Sequence, residues 1–164
     1  MEKVILASNN MGKIKEFREI LKDMDIELVS MKEAGIDVDI EEYGRTFSEN
    51  ALIKARTISE MTGCVTLADD SGLEVDYLDK APGVYSARYM GEDTPYTVKN
   101  NHIIELLKDA RGVERSARFV CVIACVMPDG NVITTRGTIE GQIGYEEKGE
   151  NGFGYDPIFY LPEK

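Results

Sequence analysis

The chain has 164 residues, 43% of them hydrophobic, and carries a formal net charge of −11 at pH 7. This length predicts one domain over residues 1–164, with two lobes. The negative charge disfavours nucleic acid, because affinity for a duplex depends on many Lys and Arg contacts to phosphate. The apolar run from Val120 to Met127 is far shorter than the ~20 residues of a membrane span, so we expect a soluble, cytoplasmic protein without membrane contact.

The first part of the chain has the pattern of a strand, a turn and a helix. An apolar run at 4–7 predicts a strand, and residues 8–13 form a polar turn. Apolar residues at helical spacing from Ile14 to Leu21 then predict a helix. A second strand is predicted at 26–31, followed by an acidic loop that ends at Thr46.

A second helix has start and stop signals at both ends. Thr46 and Glu49 form a capping-box pattern, and Gly63 is suited to end the helix in the left-handed conformation. Strands are predicted at 64–68 and 73–77, with a turn between them.

The remaining elements are a third helix and a long hairpin. Thr94 is the predicted N-cap of a helix that reaches Leu107. Residues 118–127 are almost all apolar, so both faces of this strand should be covered. A turn at 128–131 leads to a partner strand at 132–139, and this hairpin is expected at the centre of the sheet. The whole pattern predicts a mixed-sheet α/β protein.

Small polar residues, a glycine and a lysine lie between the first strand and the first helix. Backbone N–H groups at the start of a helix bind phosphate oxygens, and Lys13 would neutralise charge there. The turn lacks the Gly-Lys-Ser/Thr ending of the eight-residue phosphate loop. By itself it indicates either an anion site or an ordinary strand-to-helix turn.

Two acidic pairs, Glu41-Glu42 and Asp69-Asp70, are candidates for a metal site. Adjacent residues of an extended chain point to opposite sides, so each pair can offer one carboxylate to a shared site. Magnesium suits such ligands, since it binds carboxylates, keeps several waters and bridges substrate phosphates. Ordinary solvated charges are the alternative interpretation of both pairs.

Other reactive residue types point to few further sites. Asn50 and Lys54 share one face of the second helix, which fits either a site or an exposed surface. His102 is the only histidine, and it lies in the middle of a predicted helix. The three cysteines lack the spacing of a zinc site and are expected to be reduced core residues. Nucleophilic triad chemistry therefore loses most of its support, and metal-assisted attack by water remains.

Five segments resemble a known family and occur in the family's order. They are SNNMGK at 8–13, EEYGRTFSENALIKA at 41–55, LADDSGLEVD at 67–76, APGVYSARY at 81–89 and GFGYDPIF at 152–159. Together they resemble the inosine triphosphate pyrophosphatases, a Ham1-like family that acts on non-standard purine nucleotides. The resemblance implies an elongated two-lobed α/β fold around a mixed sheet, a nucleotide cleft between the lobes, and a homodimer.

The resemblance also implies roles for individual residues. Glu42 and Asp70 match the Mg²⁺ ligands, Asp70 matches the proton acceptor that activates water, and Lys54 matches a catalytic lysine that faces phosphate. The residues that match substrate contacts are Ser8, Asn9, Asn10, Met11, Gly12, Lys13, Ser71, Phe153, Gly154, Tyr155 and Asp156. The first six match the triphosphate turn, and the last four match the segment that packs on the nucleobase.

One departure from the family pattern concerns the end of the sequence. The family resemblance implies some thirty to forty residues beyond Pro162, including a Ser-His-Arg motif that reads the keto edge of the purine, whereas this sequence ends at Lys164. We therefore expect weaker selection of the base by residues 1–164.

The leading hypothesis is hydrolysis of ITP, dITP or XTP to the monophosphate and pyrophosphate. Two alternatives stay open at this point. The chain could be a nucleotide-binding module that is inactive without the C-terminal segment, or a Maf-like pyrophosphatase that acts on other modified nucleotides. Incubation with ITP and Mg²⁺ followed by product analysis separates them.

Overall fold

A computed structural model describes residues 2–40, 42–91, 93–148 and 154–161. Glu41 and Phe153, two residues of interest from the sequence, lie outside the described ranges. The described helices and strands are, in chain order, β1 (Glu2–Leu6), α1 (Met11–Ile20), β2 (Ile26–Ser30), α2 (Phe47–Thr62), β3 (Val65–Val75), β4 (Ala81–Pro82), α3 (Tyr96–Leu106), β5 (Ser116–Val126), β6 (Val132–Ile143) and β7 (Phe159–Tyr160).

The strands form one mixed sheet. Hydrogen-bonded neighbours follow the order β2-β1-β3-β5-β6-β7, and β4 pairs with β3. Strand β1 runs parallel to both β2 and β3, and its Leu6 is paired with Ser30 on one side and Leu67 on the other. Strands β4 and β7 join their neighbours antiparallel. The prediction of a mixed-sheet α/β fold is confirmed.

The chain divides into two compact units. The first contains Met1–Asp70 and Val122–Arg136, and the second contains Ser71–Cys121 and Gly137–Lys164. Each unit thus takes two separate segments of the chain, and β3, β5 and β6 each run from one unit into the other. That residues 1–164 act as a single domain stays a prediction.

Helix α1 packs on β1 and β2 in the first unit. Its Ile14 is buried with Val4, Leu6 and Leu28, and burying such side chains stabilises the fold by about 1.5–3 kcal/mol each. The apolar spacing that predicted the helix thus defines its buried face.

Helix α2 begins and ends at the predicted residues. The Thr46 hydroxyl accepts the N–H of Glu49 at 3.0 Å, and Gly63 has a φ of +68° at the C-cap. Ala51, Ala55 and the other residues of its inner face are buried. Local capping chemistry thus determines both ends of this helix.

The second unit has a core of its own around helix α3. The buried apolar residues of this core are Leu73, Val75, Ile103, Leu107, Ala110, Ala117, Ile143, Tyr155 and Ile158. Helix α3 starts one residue after Pro95, which takes the N-cap position predicted for Thr94. The Thr94 hydroxyl instead donates to the carbonyl of Met90 at 2.6 Å.

The predicted break around Asp69–Gly72 is wrong, because β3 is one continuous strand from Val65 to Val75. It is hydrogen-bonded to three neighbours, β1, β4 and β5. Pairing in the middle of a sheet therefore overrides the turn propensity of the Asp-Ser-Gly residues. The two aspartates consequently lie within a strand, where neighbouring side chains alternate in direction.

The predicted hairpin is present, but one prediction about its burial is wrong. The N–H of Met127 donates to the carbonyl of Asn131 and closes the turn between β5 and β6. Cys121 is exposed on β5, while Cys64 and Cys125 are half-buried, so the thiols are free, as predicted, but do not lie in the core. From Val120 to Val126, buried residues of β5 alternate with exposed or half-buried ones, so one face of the strand is less covered than expected. In the described ranges, every helix is too short or too polar to cross a membrane.

Candidate active site

The turn after β1 is organised by its own polar side chains. Asn10 is the N-cap of α1, and its side-chain oxygen accepts the N–H of Lys13 at 3.1 Å. The Ser8 hydroxyl accepts the N–H of Asn10 at 3.0 Å, and the Asn9 side chain accepts the N–H of Lys32 at 3.2 Å. These side chains therefore shape the turn.

The start of α1 leaves donors for an anion. Met11 and Gly12 are the first two residues of the helix, so their N–H groups have no acceptor within it. Both residues are exposed. The positive end of the helix dipole and these two N–H groups favour a phosphate at this position.

Strand pairing brings the β1 turn next to the aspartates of β3. The N–H of Ala7 donates to the carbonyl of Leu67 at 2.8 Å, directly beyond the paired residues of the two parallel strands. The ammonium of Lys13 lies 2.9 Å from Asp69 Oδ2. The Asp69 side chain is 6% exposed and that of Lys13 is 38% exposed, so the lysine reaches solvent while its charge is paired.

Asp70 has a different environment from its neighbour. Its Oδ2 atom is buried and has no hydrogen-bond partner among the described residues. Burial raises the pKa of Asp70 to about 7, the nearby Lys54 ammonium opposes this rise, and the Glu42 carboxylate adds to it. Asp70 is therefore a carboxyl group able to accept a proton near neutral pH.

Lys54 contacts the acidic cluster, which consists of Glu42, Asp69 and Asp70. Its ammonium is 3.2 Å from Glu42 Oε1, and it also donates to the carbonyl of Asp69. Its side chain is 16% exposed. The lysine predicted to face phosphate therefore also holds the Glu42 loop against β3.

The residues around Asp70 fit a divalent metal ion. They offer hard carboxylate oxygens from Glu42 and Asp70, which are close enough for one to raise the pKa of the other. A buried carboxylate oxygen without a partner, together with a pKa raised by desolvation, is the condition that a bound cation would relieve. The described residues contain no group of three or more carboxylate, His or Cys ligands, so water and substrate oxygens would complete the coordination.

The segment matched to nucleobase packing is partly described. Tyr155 is 4% exposed, its hydroxyl donates to the carbonyl of Ser86 at 2.6 Å, and its ring lies edge-on to Tyr96 at 5.1 Å. The carbonyl of Gly154 accepts from the Asn100 side chain at 3.1 Å. Tyr155 is thus a core residue that anchors the segment, and its ring is not an exposed stacking face.

The other two predicted contacts of the second unit are accessible. Asp156 is exposed at the start of a short 3₁₀ helix, Asp156–Ile158, and Ser71 is exposed on β3.

His102, the only histidine of the sequence, is half-buried, with its ring 6.0 Å from that of Tyr89.

Comparison with known proteins identifies the family. Residues 4–164 match the model of the Ham1 family. The chain belongs to the Ham1 family. A dITP/XTP pyrophosphatase from Clostridium perfringens is 48% identical, over 99% of this chain and 83% of the relative. One from Desulforamulus reducens is 50% identical, over 98% of this chain and 80% of the relative.

Solved structures of the Ham1 family agree with the fold. A HAM1 protein from Coxiella burnetii has a TM-score of 0.92 and 44% identity, covering 99% of this chain and 83% of that chain. A nucleoside-triphosphatase, also titled a dITP/XTP pyrophosphatase, from Mycobacterium abscessus has a TM-score of 0.87 and 39% identity, covering 97% and 83%. The Ham1 resemblance stated from the sequence is confirmed.

One buried polar residue of this Ham1-family site had no assigned role from the sequence. Asn50 is 1% exposed, and its side-chain oxygen accepts the N–H of Gly44 at 2.8 Å. An exposed helix face, one of the two interpretations considered, is therefore wrong for Asn50. Its spacing of four residues from Lys54 was the available signal, because it places both side chains on the face of α2 that meets the acidic cluster.

The pKa of Asp70 predicts a pH dependence of stability in this Ham1-family protein. Between the ordinary pKa of 3.8 and the folded value of about 7, the folded state binds a proton that the unfolded state has lost. The free energy of unfolding should therefore fall as pH rises across that interval, and should not fall further above it on account of Asp70. Asp70→Asn cannot ionise and should lose less stability between about pH 5 and about pH 8. Urea unfolding with EDTA measures this, and equal losses in both proteins would contradict it.

The Lys13 pair gives a prediction about substrate affinity. Lys13→Ala should raise KM for the triphosphate more than it lowers kcat, because a charge that binds phosphate in the ground state is removed. It also leaves the Asp69 carboxylate buried without this ammonium, so stability should fall as well. The double variant Lys13→Ala/Asp69→Asn separates the two effects, since it should recover stability but keep the high KM. An unchanged KM in Lys13→Ala would locate the phosphates elsewhere.

Proposed function

We propose that this chain hydrolyses non-standard purine nucleoside triphosphates, namely ITP, dITP and XTP, to the monophosphate and pyrophosphate. The observation that carries the proposal is Asp70, a carboxyl group with a pKa of about 7 beside Glu42 and Lys54. Membership of the Ham1 family supports the substrate class, as do two relatives about half identical to the chain, both of which are dITP/XTP pyrophosphatases.

In the proposed reaction, water attacks the α-phosphorus. Asp70 accepts a proton from the water as the new P–O bond forms. The bond between the α-phosphorus and the oxygen that bridges to the β-phosphorus breaks, and pyrophosphate leaves with that oxygen. Lys13 and the N–H groups at the start of α1 would stabilise the phosphate charge, while Lys54 keeps Glu42 close to Asp70.

The proposed cofactor is Mg²⁺, held by Glu42 and Asp70. When bound, the ion supplies positive charge to the phosphate oxygens and lowers the pKa of water. The preference for magnesium rests on the carboxylate ligands, which suit a hard cation that keeps several waters. Removal of divalent ions with EDTA should therefore abolish turnover, and added Mg²⁺ should restore it.

Product analysis in labelled water tests the proposal. Incubation of the chain with ITP and Mg²⁺ should yield IMP and pyrophosphate in equal amounts. In H₂¹⁸O the label should enter IMP, because attack at the α-phosphorus adds the water oxygen to that phosphate. Label in pyrophosphate would mean attack at the β-phosphorus, and release of IDP with orthophosphate would contradict the proposed class of reaction.

Three further properties are proposed from sequence and family resemblance. We expect a homodimer, a cytoplasmic location, and small nucleotides as partners with no nucleic acid, since the net charge of −11 opposes a long polyanion. Light scattering coupled to gel filtration tests the dimer. Binding of ITP without products would instead favour an inactive nucleotide-binding module.

A further inference from the structure

Asn50 connects two parts of the acidic cluster. Its side-chain oxygen accepts the N–H of Gly44, two residues after Glu42. Its side chain also lies beside the Asp70 carboxyl. Among the described residues, neither Asn50 Nδ2 nor Asp70 Oδ2 has a hydrogen-bond partner, although both atoms are buried. Asn50 therefore contacts the Glu42 loop through one end of its amide, and its side chain is placed to donate to the Asp70 carboxyl, which lowers the pKa of that group.

The loop can approach Asn50 only because residue 44 is a glycine. A Cβ atom on Gly44 would lie 2.6 Å from the Cβ of Glu49 and 2.7 Å from Asn50 Oδ1. Both distances are shorter than side chains tolerate. The N–H of Arg45 also donates to Glu49 Oε2 at 2.7 Å. The loop that carries Glu42 is thus attached to the first turn of α2 at two consecutive residues.

Lys54 completes the arrangement from the same helix. It lies one turn after Asn50 and pairs with Glu42 itself, at 3.2 Å. The two residues therefore fix the loop at two points, one on the backbone of Gly44 and one on the side chain of Glu42. Helix α2 is capped and has a buried inner face, so it provides a rigid base for both contacts.

We propose that Asn50 is a positioning residue that fixes Glu42 and Asp70 relative to each other for metal binding. The proposal rests on the proposed function in one respect, the assignment of these two carboxylates as the metal ligands. Groups that orient metal ligands commonly change metal affinity by about 10- to 100-fold when they are removed. Asn50 acts through both ligands, because its oxygen holds the loop of one and its amide lies beside the other.

Manganese binding tests the proposal without relying on turnover. Mn²⁺ is titrated into the full chain in the presence of the non-hydrolysable α,β-imido analogue of ITP, and free Mn²⁺ is measured by electron paramagnetic resonance. Asn50→Ala should weaken Mn²⁺ binding by about 10- to 100-fold. In the hydrolysis assay, the Mg²⁺ concentration for half-maximal rate should rise by a similar factor.

Ser59→Ala is the matched control. Ser59 is also a buried polar residue of α2, at 5% exposure, and its hydroxyl donates to the carbonyl of Cys64 at 3.0 Å, away from the acidic cluster. Its loss removes a comparable hydrogen bond and should leave Mn²⁺ affinity unchanged. If Ser59→Ala weakened Mn²⁺ binding as much as Asn50→Ala, the effect would be one of general stability. That result would overturn the proposal.

Gly44→Ala provides the second test and keeps Asn50 intact. The added methyl group must push the loop away from Glu49 and Asn50, so Mn²⁺ binding should weaken in the same direction as in Asn50→Ala. Normal Mn²⁺ affinity in either variant overturns the proposal, and Gly44→Ala decides the matter if Asn50→Ala does not fold. If the unsubstituted chain binds Mn²⁺ but releases no IMP, the proposed function fails while the role of Asn50 is still tested.

Discussion

Asp70→Asn should lower kcat for ITP hydrolysis by about 10²- to 10⁴-fold, which is the range for loss of a general base. Asparagine keeps the shape of the side chain but loses both the charge and the ability to accept a proton. The buried, unpartnered Oδ2 atom and the pKa of about 7 single this residue out from the other carboxylates of the cluster. Steady-state kinetics at saturating Mg²⁺ measure the change.

Asp69→Asn is the internal comparison for this experiment. The Asp69 carboxylate pairs with Lys13 at 2.9 Å, unlike the buried Oδ2 atom of Asp70. Replacement of Asp69 should therefore lower kcat less than replacement of Asp70. Binding of the α,β-imido analogue of ITP should be partly retained in both variants, which shows that each one is folded. Near-normal turnover in Asp70→Asn, or equal losses in the two variants, would mean that the base is another group.

Arg115→Ala should destabilise the chain by about 3 kcal/mol or more, the largest stability effect that we expect. Arg115 is 2% exposed, and its guanidinium lies 3.9 Å from the Tyr145 ring centroid. Desolvation lowers its pKa. Its nitrogens donate to the main-chain carbonyls of Leu107, Ala110, Ile143 and Gly144. Removing it takes the charged donor away from all four carbonyls in the second unit, of which those of Leu107 and Ala110 keep another donor, the N–H of Ala110 and the Arg111 side chain.

Arg111→Ala is the control, because Arg111 also donates to main-chain carbonyls, those of Lys108 and Ala110, but is exposed. Water can replace its bonds, so the change should stay within about 0.5 kcal/mol. Arg115→Lys should recover little, since one ammonium cannot reproduce the planar fork of donors. Urea unfolding of the three variants measures these effects. A loss below about 1 kcal/mol in Arg115→Ala would contradict the argument.

The parts of the fold that follow from local signals were predictable. The bounds of α2 follow from Thr46, Glu49 and Gly63, whose effects depend on neighbours within one helical turn. The continuity of β3 was not predictable from its own residues. Asp69–Gly72 alone indicate a turn, and only the pairing with neighbouring strands explains why the strand continues. Exposure of Cys121 likewise depends on what covers β5, and the strand's apolar sequence gives no information about that.

The candidate site was predicted in its residue types but only partly in its contacts. The pairing of Lys13 with Asp69 arises from the parallel register of β1 and β3, which a single sequence does not specify. Lys54 was assigned to phosphate, and its contact with Glu42 depends on how the loop returns to α2. The sequence was not sufficient to assign a site role to Asn50, since an asparagine on a helix is compatible with either burial or exposure.

The way in which the two units share the chain restricts how this protein can be divided. A cut at the turn between Asp129 and Gly130 gives two pieces, and each piece contains residues of both units. Neither piece contains a whole unit, and the core of the second unit needs both pieces, because Leu73 and Ile103 lie in one and Ile143 in the other. Recombination between genes at a single crossover would face the same obstacle. Exchange of one piece between two members of the family should therefore disturb the core of the second unit, whereas the core around α1 stays within the first piece.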